Sequence, residues 1–171
     1  MLRSLTRRMF GATLAAGAAL RPAFAGVLPT PQGRPILSVS GRIGVRNDGD
    51  AASFDWPMLE ALGMQGFATA TPWYPAVTRF DGVPMRTLLR TVEASGSSVI
   101  AIALNDYTTE IPIADFEQYN VLLALRRDGE YMPVRDKGPL FIVYPYDSDK
   151  ALQSRMYYSR SAWQVSKIIV Q

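Results

Sequence analysis

Short runs in which hydrophobic and polar residues alternate recur along the chain and predict a protein built mainly of short β-strands. Residues 36–43 and 162–170 alternate in this way, as side chains on the two faces of a strand do. Residues 66–71 alternate large and small side chains, whereas residues 99–104 are continuously apolar, which is typical of a strand buried on both faces. Further strands are predicted at residues 108–112, 121–126 and 140–144.

Capping residues between these strands predict a few short helices. Asp55 is expected to cap a helix that runs to residue 62, because Asp favours the N-cap and Pro57 falls in the first turn. Residues 81–84, Asp-Gly-Val-Pro, are expected to open a second helix that continues to residue 92. A one-turn helix is expected over residues 114–119.

Turn residues complete the predicted organisation. Residues 72–75, Pro-Trp-Tyr-Pro, are expected to form a rigid aromatic loop, and Asp128-Gly129 is a hairpin signal. Many short strands with two or three short helices and no repeat predict an α+β domain built on mixed or antiparallel sheets. We expect one such domain over residues 26–171.

The first 25 residues have the features of a cleavable export signal. Arginines precede a short apolar run at residues 11–20, and residues 23–25, Ala-Phe-Ala, form a small-x-small cleavage site. The run is too short for a stable membrane anchor. Residues 6–10, Thr-Arg-Arg-Met-Phe, resemble a twin-arginine signal, and an ordinary secretory signal with adjacent arginines is the alternative. We therefore expect a periplasmic protein whose mature part is not inserted in the membrane.

Charge and composition exclude several classes of partner and site. Four of the 18 basic residues lie in the predicted signal, which leaves 14 basic and 15 acidic residues in the mature part. No basic stripe remains to bind nucleic acid. The chain has no Cys and no His, so it offers no thiolate or imidazole metal ligand, no Cys nucleophile and no His general base.

Ordered blocks over residues 37–170 resemble the molybdopterin-binding domain of the sulfite oxidase superfamily. Their order and spacing carry the resemblance. The blocks are residues 37–41, 69–71, 80–89 (Phe-Asp-Gly-Val-Pro-Met-Arg-Thr-Leu-Leu), 105–107 (Asn-Asp-Tyr), 111–112, 123–124, 128–129, 138–140 (Gly-Pro-Leu), 143–145 and Trp163. The resemblance implies a sulfite-oxidase-like molybdopterin-binding fold with mixed sheets and short helices.

The chain differs from the catalytic members of the superfamily in the residue that binds the metal. Those relatives bind molybdenum through a cysteine thiolate, placed near residues 69–71, and this chain has no cysteine. In this it resembles a cysteine-free subgroup of periplasmic proteins, some of which bind reduced pterins and regulate a membrane-bound cyclic-di-GMP enzyme. The resemblance therefore implies a pterin ligand without molybdenum and a partner that is the periplasmic domain of a membrane signalling protein.

A pterin is a flat, polar bicycle that needs an aromatic or aliphatic slot and a few directed hydrogen bonds. We expect no catalytic and no metal-ligating residues. The candidate pterin-binding residues are Thr69, Thr71, Trp73, Asn105, Asp106, Tyr107, Gly138 and Pro139.

Each candidate also has a structural explanation. Trp73 offers a stacking face, or it covers the edge of the core. The hydroxyls of Thr69 and Thr71 line the vacated metal pocket, or threonine is there for its strand propensity. Asn105 and Asp106 face a ligand, or they cap a turn through their side chains.

The remaining candidates carry similar alternatives. Tyr107 corresponds to a tyrosine that lies near the cofactor in relatives. Gly138 and Pro139 allow close approach of the backbone to a ligand, or they serve a turn. The C-terminal tyrosines, Tyr144, Tyr146, Tyr157 and Tyr158, form a partner surface or pack at the edge of the core.

Three functions follow from these observations. The first is a periplasmic pterin-binding regulator without molybdenum catalysis. The second is a molybdopterin-dependent oxidoreductase, or a subunit of one, with a non-cysteine metal site. The third is an interaction module whose cleft holds no ligand.

Overall fold

The structure is a computed structural model that describes residues 28–171. The predicted export signal at residues 1–25 lies outside the described residues. Residues 28–171 form two β-sheets, four short α-helices and three 3-10 turns. Within this part of the chain, the helices all lack the length and apolar character that crossing a lipid bilayer requires.

Eleven strands are found in residues 28–171. In chain order they are β1 (Leu37–Gly41), β2 (Ala52–Phe54), β3 (Gln65–Thr71), β4 (Tyr74–Pro84), β5 (Ser98–Ala103), β6 (Thr108–Pro112), β7 (Leu122–Arg127), β8 (Glu130–Tyr131), β9 (Phe141–Val143), β10 (Ala162–Trp163) and β11 (Val165–Val170).

The strands form two sheets of mixed and antiparallel pairing. One sheet has five strands in the order β2-β1-β11-β5-β6, and β1 runs parallel to β11. The other has six strands in the order β10-β9-β7-β4-β3, with β8 paired to β7. Among the described residues, every other pairing between named strands is antiparallel. This architecture confirms the predicted α+β fold class.

The helices are each six or seven residues long, and their starts follow local sequence. Asp55 caps the first helix by accepting a hydrogen bond from the Met58 backbone N–H at 3.0 Å. Such a side chain satisfies one of the backbone donors that a helix start leaves unpaired. The helices are α1 (Trp56–Ala61), α2 (Met85–Thr91), α3 (Ile113–Gln118) and α4 (Arg155–Arg160), and the 3-10 turns are Val134–Asp136, Tyr146–Ser148 and Lys150–Leu152.

The hydrophobic core is one cluster to which both sheets and all four helices contribute. Alternate residues of β1 point into it, as the buried Leu37 and Val39 illustrate, whereas residues 122–125 of β7 are all buried. Burial of apolar side chains at about 25 cal/mol per Å² is the main favourable term for such a fold. The largest fully buried side chains of this core are Tyr144, Tyr146, Phe54, Phe80, Phe116 and Phe141.

The structure corrects the prediction for residues 72–84. Pro72 and Trp73 form a two-residue turn, and β4 starts at Tyr74, so residues 72–75 are not an extended aromatic loop. β4 then continues through Pro84, and the helix begins only at Met85. Pro75 is tolerated in this strand because β4 reaches β7 only from Phe80 onward, and the missing N–H costs no bond on that side.

The last predicted strand is divided between the two sheets. Gln164 has a positive φ of 56°, which interrupts the run that was predicted as one strand over residues 162–170. Before it, Trp163 pairs with Phe141 in the six-stranded sheet. After it, Val165 pairs with Ala103 in the five-stranded sheet.

Candidate functional site

The β3–β4 hairpin places Trp73 at its tip. Thr71 of β3 pairs with Tyr74 of β4, so Pro72 and Trp73 occupy the turn between them. The Thr71 hydroxyl oxygen accepts a hydrogen bond from the Trp73 backbone N–H at 3.3 Å. This bond fixes the turn from the strand that precedes it, so the indole is held on a rigid element.

Trp73 is the centre of an aromatic cluster that we define as Trp73, Tyr107, Phe141, Tyr146, Tyr158 and Trp163. The Trp73 ring meets four of the others edge to face, with centroid distances of 5.5 Å to Phe141, 6.0 Å to Tyr146, 6.0 Å to Tyr158 and 5.6 Å to Trp163. Edge-to-face contacts of this kind stabilise an aromatic group and fix its orientation.

Tyr107 extends the aromatic cluster to the surface. Its ring lies parallel to that of Trp163 within 6°, with centroids 6.4 Å apart, and Tyr107 is 46% exposed. Its hydroxyl donates to the Ser159 backbone carbonyl at 3.3 Å, which holds the ring in place. The cluster therefore presents fixed aromatic surface to solvent, the kind of surface on which a flat heterocycle stacks.

The Thr69 hydroxyl on β3 is already engaged by the protein's own backbone, as donor and as acceptor. Thr69 is fully buried, and its hydroxyl oxygen accepts the Asp147 backbone N–H at 3.1 Å. The same hydroxyl donates to the Ala70 carbonyl at 3.3 Å. Thr69 thus joins β3 to the 3-10 turn at Tyr146–Ser148, across 78 positions of sequence.

These residues do not fit a thiolate-bound metal. The chain has no cysteine, and the Thr69 hydroxyl is engaged on both sides by backbone groups. In the part of the chain that the structure describes, no three Asp or Glu side chains gather where they could hold an ion. The thiolate that binds molybdenum in the catalytic relatives therefore has no counterpart among these side chains.

A cavity of about 280 Å³ lies beside the aromatic cluster. It opens between the end of β3 and the segment that leads into α4. Its lining combines one aromatic ring, one proline and several polar groups, which is the mixture that small polar ligands require. The lining residues are Ala70, Thr71, Pro72, Asp147, Gln153 and Tyr158.

The predicted segment at residues 105–107 forms a tight turn next to the cluster. The Asn105 side-chain oxygen accepts the Tyr107 backbone N–H at 3.2 Å, which is an Asx turn. Asp106 adopts a positive φ of 64° and its backbone N–H donates to the Ala103 carbonyl at 3.1 Å. Asn105 therefore supports the turn, and the turn carries Tyr107 to Trp163.

Gly138 and Pro139 lie away from the cavity beside the aromatic cluster. A Cβ on Gly138 would lie 1.8 Å from the Met132 carbonyl oxygen, so the close approach at this glycine is to the protein's own backbone. Pro139 lines a groove of about 510 Å³ that also involves Leu104, Val134 and Trp56. Among the described residues, this groove and the cavity near Asp147 share no lining residue.

Six of the eight predicted candidates therefore separate into two groups, whereas Asn105 and Asp106 serve the turn before Tyr107. Thr69, Thr71 and Trp73 lie together on the hairpin, and Tyr107 joins them through Trp163. Pro139 lines the other groove and Gly138 packs against the Met132 backbone, so the structure does not bring them into the same pocket.

Sequence reasoning missed several residues of the aromatic cluster and its cavity. Asp147 and Gln153 carry no local motif, and they reach the hairpin only through the fold. The aromatic-rich C-terminal region was a usable signal, since Tyr146 and Tyr158 come from it. Tyr144 and Tyr146 are fully buried, so these two tyrosines belong to the core rather than to a partner surface.

Cationic side chains near the hairpin are already engaged. Tyr74, next to Trp73, has the Arg127 guanidinium 4.7 Å from its ring centroid and the Lys137 ammonium 4.6 Å from it. Both cations also lie within 4.0 Å of the Asp136 carboxylate. Burial raises the pKa of the Tyr74 hydroxyl, so it stays neutral at physiological pH.

Comparison with known families agrees with this architecture. Residues 59–148, which are more than half of the chain, match the family described as the oxidoreductase molybdopterin binding domain. The matched region spans α1 through the hairpin, β7 and β9 to Ser148. No curated protein matches the chain. The chain therefore belongs to the oxidoreductase molybdopterin binding domain family, with the sulfite-oxidase-like fold that its sequence predicted.

Proposed function

We propose that this protein is a periplasmic pterin-binding regulator that binds its ligand without molybdenum. The observation that carries the proposal is the aromatic cluster around Trp73, which is fixed by the hairpin and lies beside a polar cavity. A family whose members bind molybdopterin supplies the ligand class.

The aromatic cluster supports stacking of a flat ring. Trp73 and Trp163 are partly exposed, and each is held by neighbouring rings. A preorganised aromatic face loses little side-chain entropy when a ligand stacks on it, so the contact contributes its full packing energy. Thr71, Asp147 and Gln153 are the polar side chains next to this face that can direct a ligand.

The absence of a thiol supports a ligand without metal. The cofactor of the catalytic relatives supplies redox chemistry when a cysteine thiolate holds its molybdenum. Here Thr69 is engaged by the Asp147 N–H and the Ala70 carbonyl. The chain's own residues can bind and orient the pterin, and none of them supplies a metal-ligating thiolate.

The regulatory part of the proposal is supported by the sequence. The predicted export signal at residues 1–25 directs the chain to the periplasm, where the periplasmic domain of a membrane signalling protein is accessible. Regulation requires that ligand changes the relative affinity of this protein for that partner. The cluster suits such coupling because Tyr107 is both half-exposed and part of the stack.

Substitution of Trp73 tests the binding proposal. Trp73→Ala should weaken binding of dihydropterin by about 1–3 kcal/mol, the range expected when an aromatic stacking partner is lost. Binding is measured by calorimetry on the purified mature protein. Trp56→Ala is the matched control, because Trp56 is a half-exposed tryptophan in the other groove. Equal affinities of wild type and Trp73→Ala would contradict the proposal.

The family description favours the oxidoreductase alternative. Metal analysis distinguishes this alternative from the proposed regulator. Protein purified from the periplasm of its natural host should contain fluorescent pterin and no stoichiometric molybdenum. Molybdenum at one atom per chain would establish the alternative. A chain with neither pterin nor metal would indicate the interaction module.

The partner is tested by affinity capture. The tagged protein should retain a membrane protein with a periplasmic sensor region, and adding dihydropterin should change the amount retained. If the amount of partner retained depends neither on pterin nor on Trp73, the regulatory role is contradicted and only the binding of pterin stands.

A further inference from the structure

The cavity beside the aromatic cluster has a fixed carboxylate at its edge. One Asp147 carboxylate oxygen, Oδ2, accepts the Ala70 backbone N–H at 2.7 Å, and the Asp147 backbone N–H donates to Thr69. These two bonds anchor Asp147 to β3 at adjacent residues. Within residues 28–171, the other oxygen, Oδ1, has no hydrogen-bond or ion-pair partner.

Gln153 presents a second acceptor to the same cavity. Its side-chain Nε2 donates to the Tyr146 backbone carbonyl at 3.1 Å. Because the amide nitrogen is committed to that bond, the opposite end of the amide is the carbonyl oxygen Oε1. Among the described residues Oε1 has no donor, so it is available to a ligand.

Thr71 supplies a donor to the same cavity. Its hydroxyl oxygen accepts the Trp73 N–H, which leaves the hydroxyl proton free to be donated. The cavity is also lined by the Tyr158 ring and by Pro72, and its lining contains no Lys or Arg. The polar pattern is therefore two acceptors, one of them charged, and one donor, between apolar surfaces.

This pattern is complementary to one edge of a pterin. That edge carries an exocyclic amino group and a ring N–H, which are donors, followed by a carbonyl acceptor. A carboxylate that accepts hydrogen bonds from such donors forms shorter and stronger bonds than a neutral acceptor does. An anionic group, in contrast, would meet the Asp147 carboxylate with no cation in the lining to offset the repulsion.

We propose that Asp147 and Gln153 bind the amino-pyrimidine edge of the ligand, with Thr71 donating to its carbonyl. This inference rests on the proposed function and identifies which part of the pterin the chain recognises. Asp106, the carboxylate nearest the predicted Tyr107 site, has no such role, since it does not line this cavity.

A matched pair of ligands tests the inference. Dihydropterin carries the amino group, and dihydrolumazine carries a carbonyl in its place, so the lumazine presents an acceptor where the carboxylate needs a donor. Wild type should bind dihydropterin at least about tenfold more tightly than dihydrolumazine. This is the effect expected of a hydrogen bond to a charged group that remains partly exposed. Both affinities are measured by calorimetry on the mature protein.

Asp147→Asn should remove most of this preference. Asparagine keeps an oxygen that can accept the Ala70 N–H, and it loses the charge. Its affinity for dihydropterin should fall about tenfold, and its affinity for dihydrolumazine should change less than about threefold. Asp149→Asn is the control, because Asp149 lies two residues away and outside the cavity lining.

The outcomes separate this inference from the proposed function. If dihydropterin binding depends on Trp73 and Asp147→Asn keeps the full preference over dihydrolumazine, the Asp147 assignment is wrong and the pterin-binding proposal stands. If wild type binds neither ligand, in the dihydro or in the fully oxidised form, both are overturned.

Discussion

Asp55 and Asp147 both accept backbone hydrogen bonds through their side chains, but one is buried and the other is exposed. Each accepts backbone N–H groups from a segment distant in sequence. Asp55 accepts from Gln32 at 2.9 Å, Gly33 at 2.8 Å and Met58 at 3.0 Å. Asp147 accepts from Ala70 alone, at 2.7 Å. Asp55 is only 2% exposed, whereas Asp147 is exposed at the rim of a cavity.

The difference distinguishes a residue of the scaffold from a residue of a site. Both oxygens of Asp55 are used by the protein itself, so its carboxylate holds the segment before β1 against the start of α1. One oxygen of Asp147 is used to hold the carboxylate, and the other has no partner within residues 28–171 and is the one that we propose binds the ligand. Asp147 therefore differs from Asp55 in keeping one fixed carboxylate oxygen available to the proposed ligand.

The largest effect on stability is expected from Asp55→Ala. This change removes the α1 cap and leaves the Gln32 and Gly33 N–H groups without their acceptor. The free energy of unfolding should fall by about 2–3 kcal/mol. Chemical denaturation followed by circular dichroism measures it, with Asp50→Ala, at an exposed aspartate, as the control. A loss no larger than that of the control would remove the distinction between the two carboxylates.

Acid should reproduce part of this loss. The hydrogen bond from Gly33 has the largest effect and, with those from Met58 and Gln32, lowers the pKa of Asp55 below its ordinary value, against the opposing effect of burial. A lowered pKa in the folded state means that the stabilisation is fully present above about pH 4 and is lost as pH falls through the folded-state value. Stability measured from about pH 5 down to about pH 2 should decline more steeply in wild type than in Asp55→Ala. Parallel curves would contradict the assignment.

A smaller loss is expected from Thr69→Val. Valine keeps the shape of threonine but cannot accept the Asp147 N–H, so the free energy of unfolding should fall by about 1–2 kcal/mol. Thr69→Ser keeps the hydroxyl and is the control for the hydrogen bond. If valine and serine were equivalent in thermal unfolding, the bond between Thr69 and Asp147 would have no role in holding the pocket.

The smallest effect on stability is expected from Asp147→Asn. The side chain is exposed, and asparagine can still accept the Ala70 N–H, so unfolding should change by less than about 0.5 kcal/mol. A large loss in chemical denaturation would place Asp147 with Asp55 as a residue of the scaffold.

Sequence alone predicted those parts of the fold that depend on neighbouring residues. The α1 start at Asp55 was predicted correctly because the cap and the proline are local signals. The first half of β4 was missed because two prolines and a tryptophan are typical of loops, and only pairing with β3 makes them a hairpin. β2 and α4 were missed as well, since each is short and lies among turn residues.

The candidate site follows the same rule. Trp73 and Tyr107 were found because large aromatics beside turns are visible in the sequence, and the structure joins them through Trp163. Asp147 and Gln153 could not be found, since their relation to Ala70 and Tyr158 exists only after folding. Residues that depend on long-range contacts were the ones that sequence reasoning missed.

Gln164 joins the aromatic cluster directly to the five-stranded sheet. Its backbone N–H donates to Lys137, its carbonyl accepts from Leu104, and the residues on its two sides belong to different sheets. Only Gln164 separates Trp163 from β11, so the backbone has no loop that could absorb a displacement of the indole. A ligand that displaces Trp163 would therefore also displace the start of β11, which lies between β1 and β5. Amide hydrogen exchange along β11 would then report whether the pocket is filled.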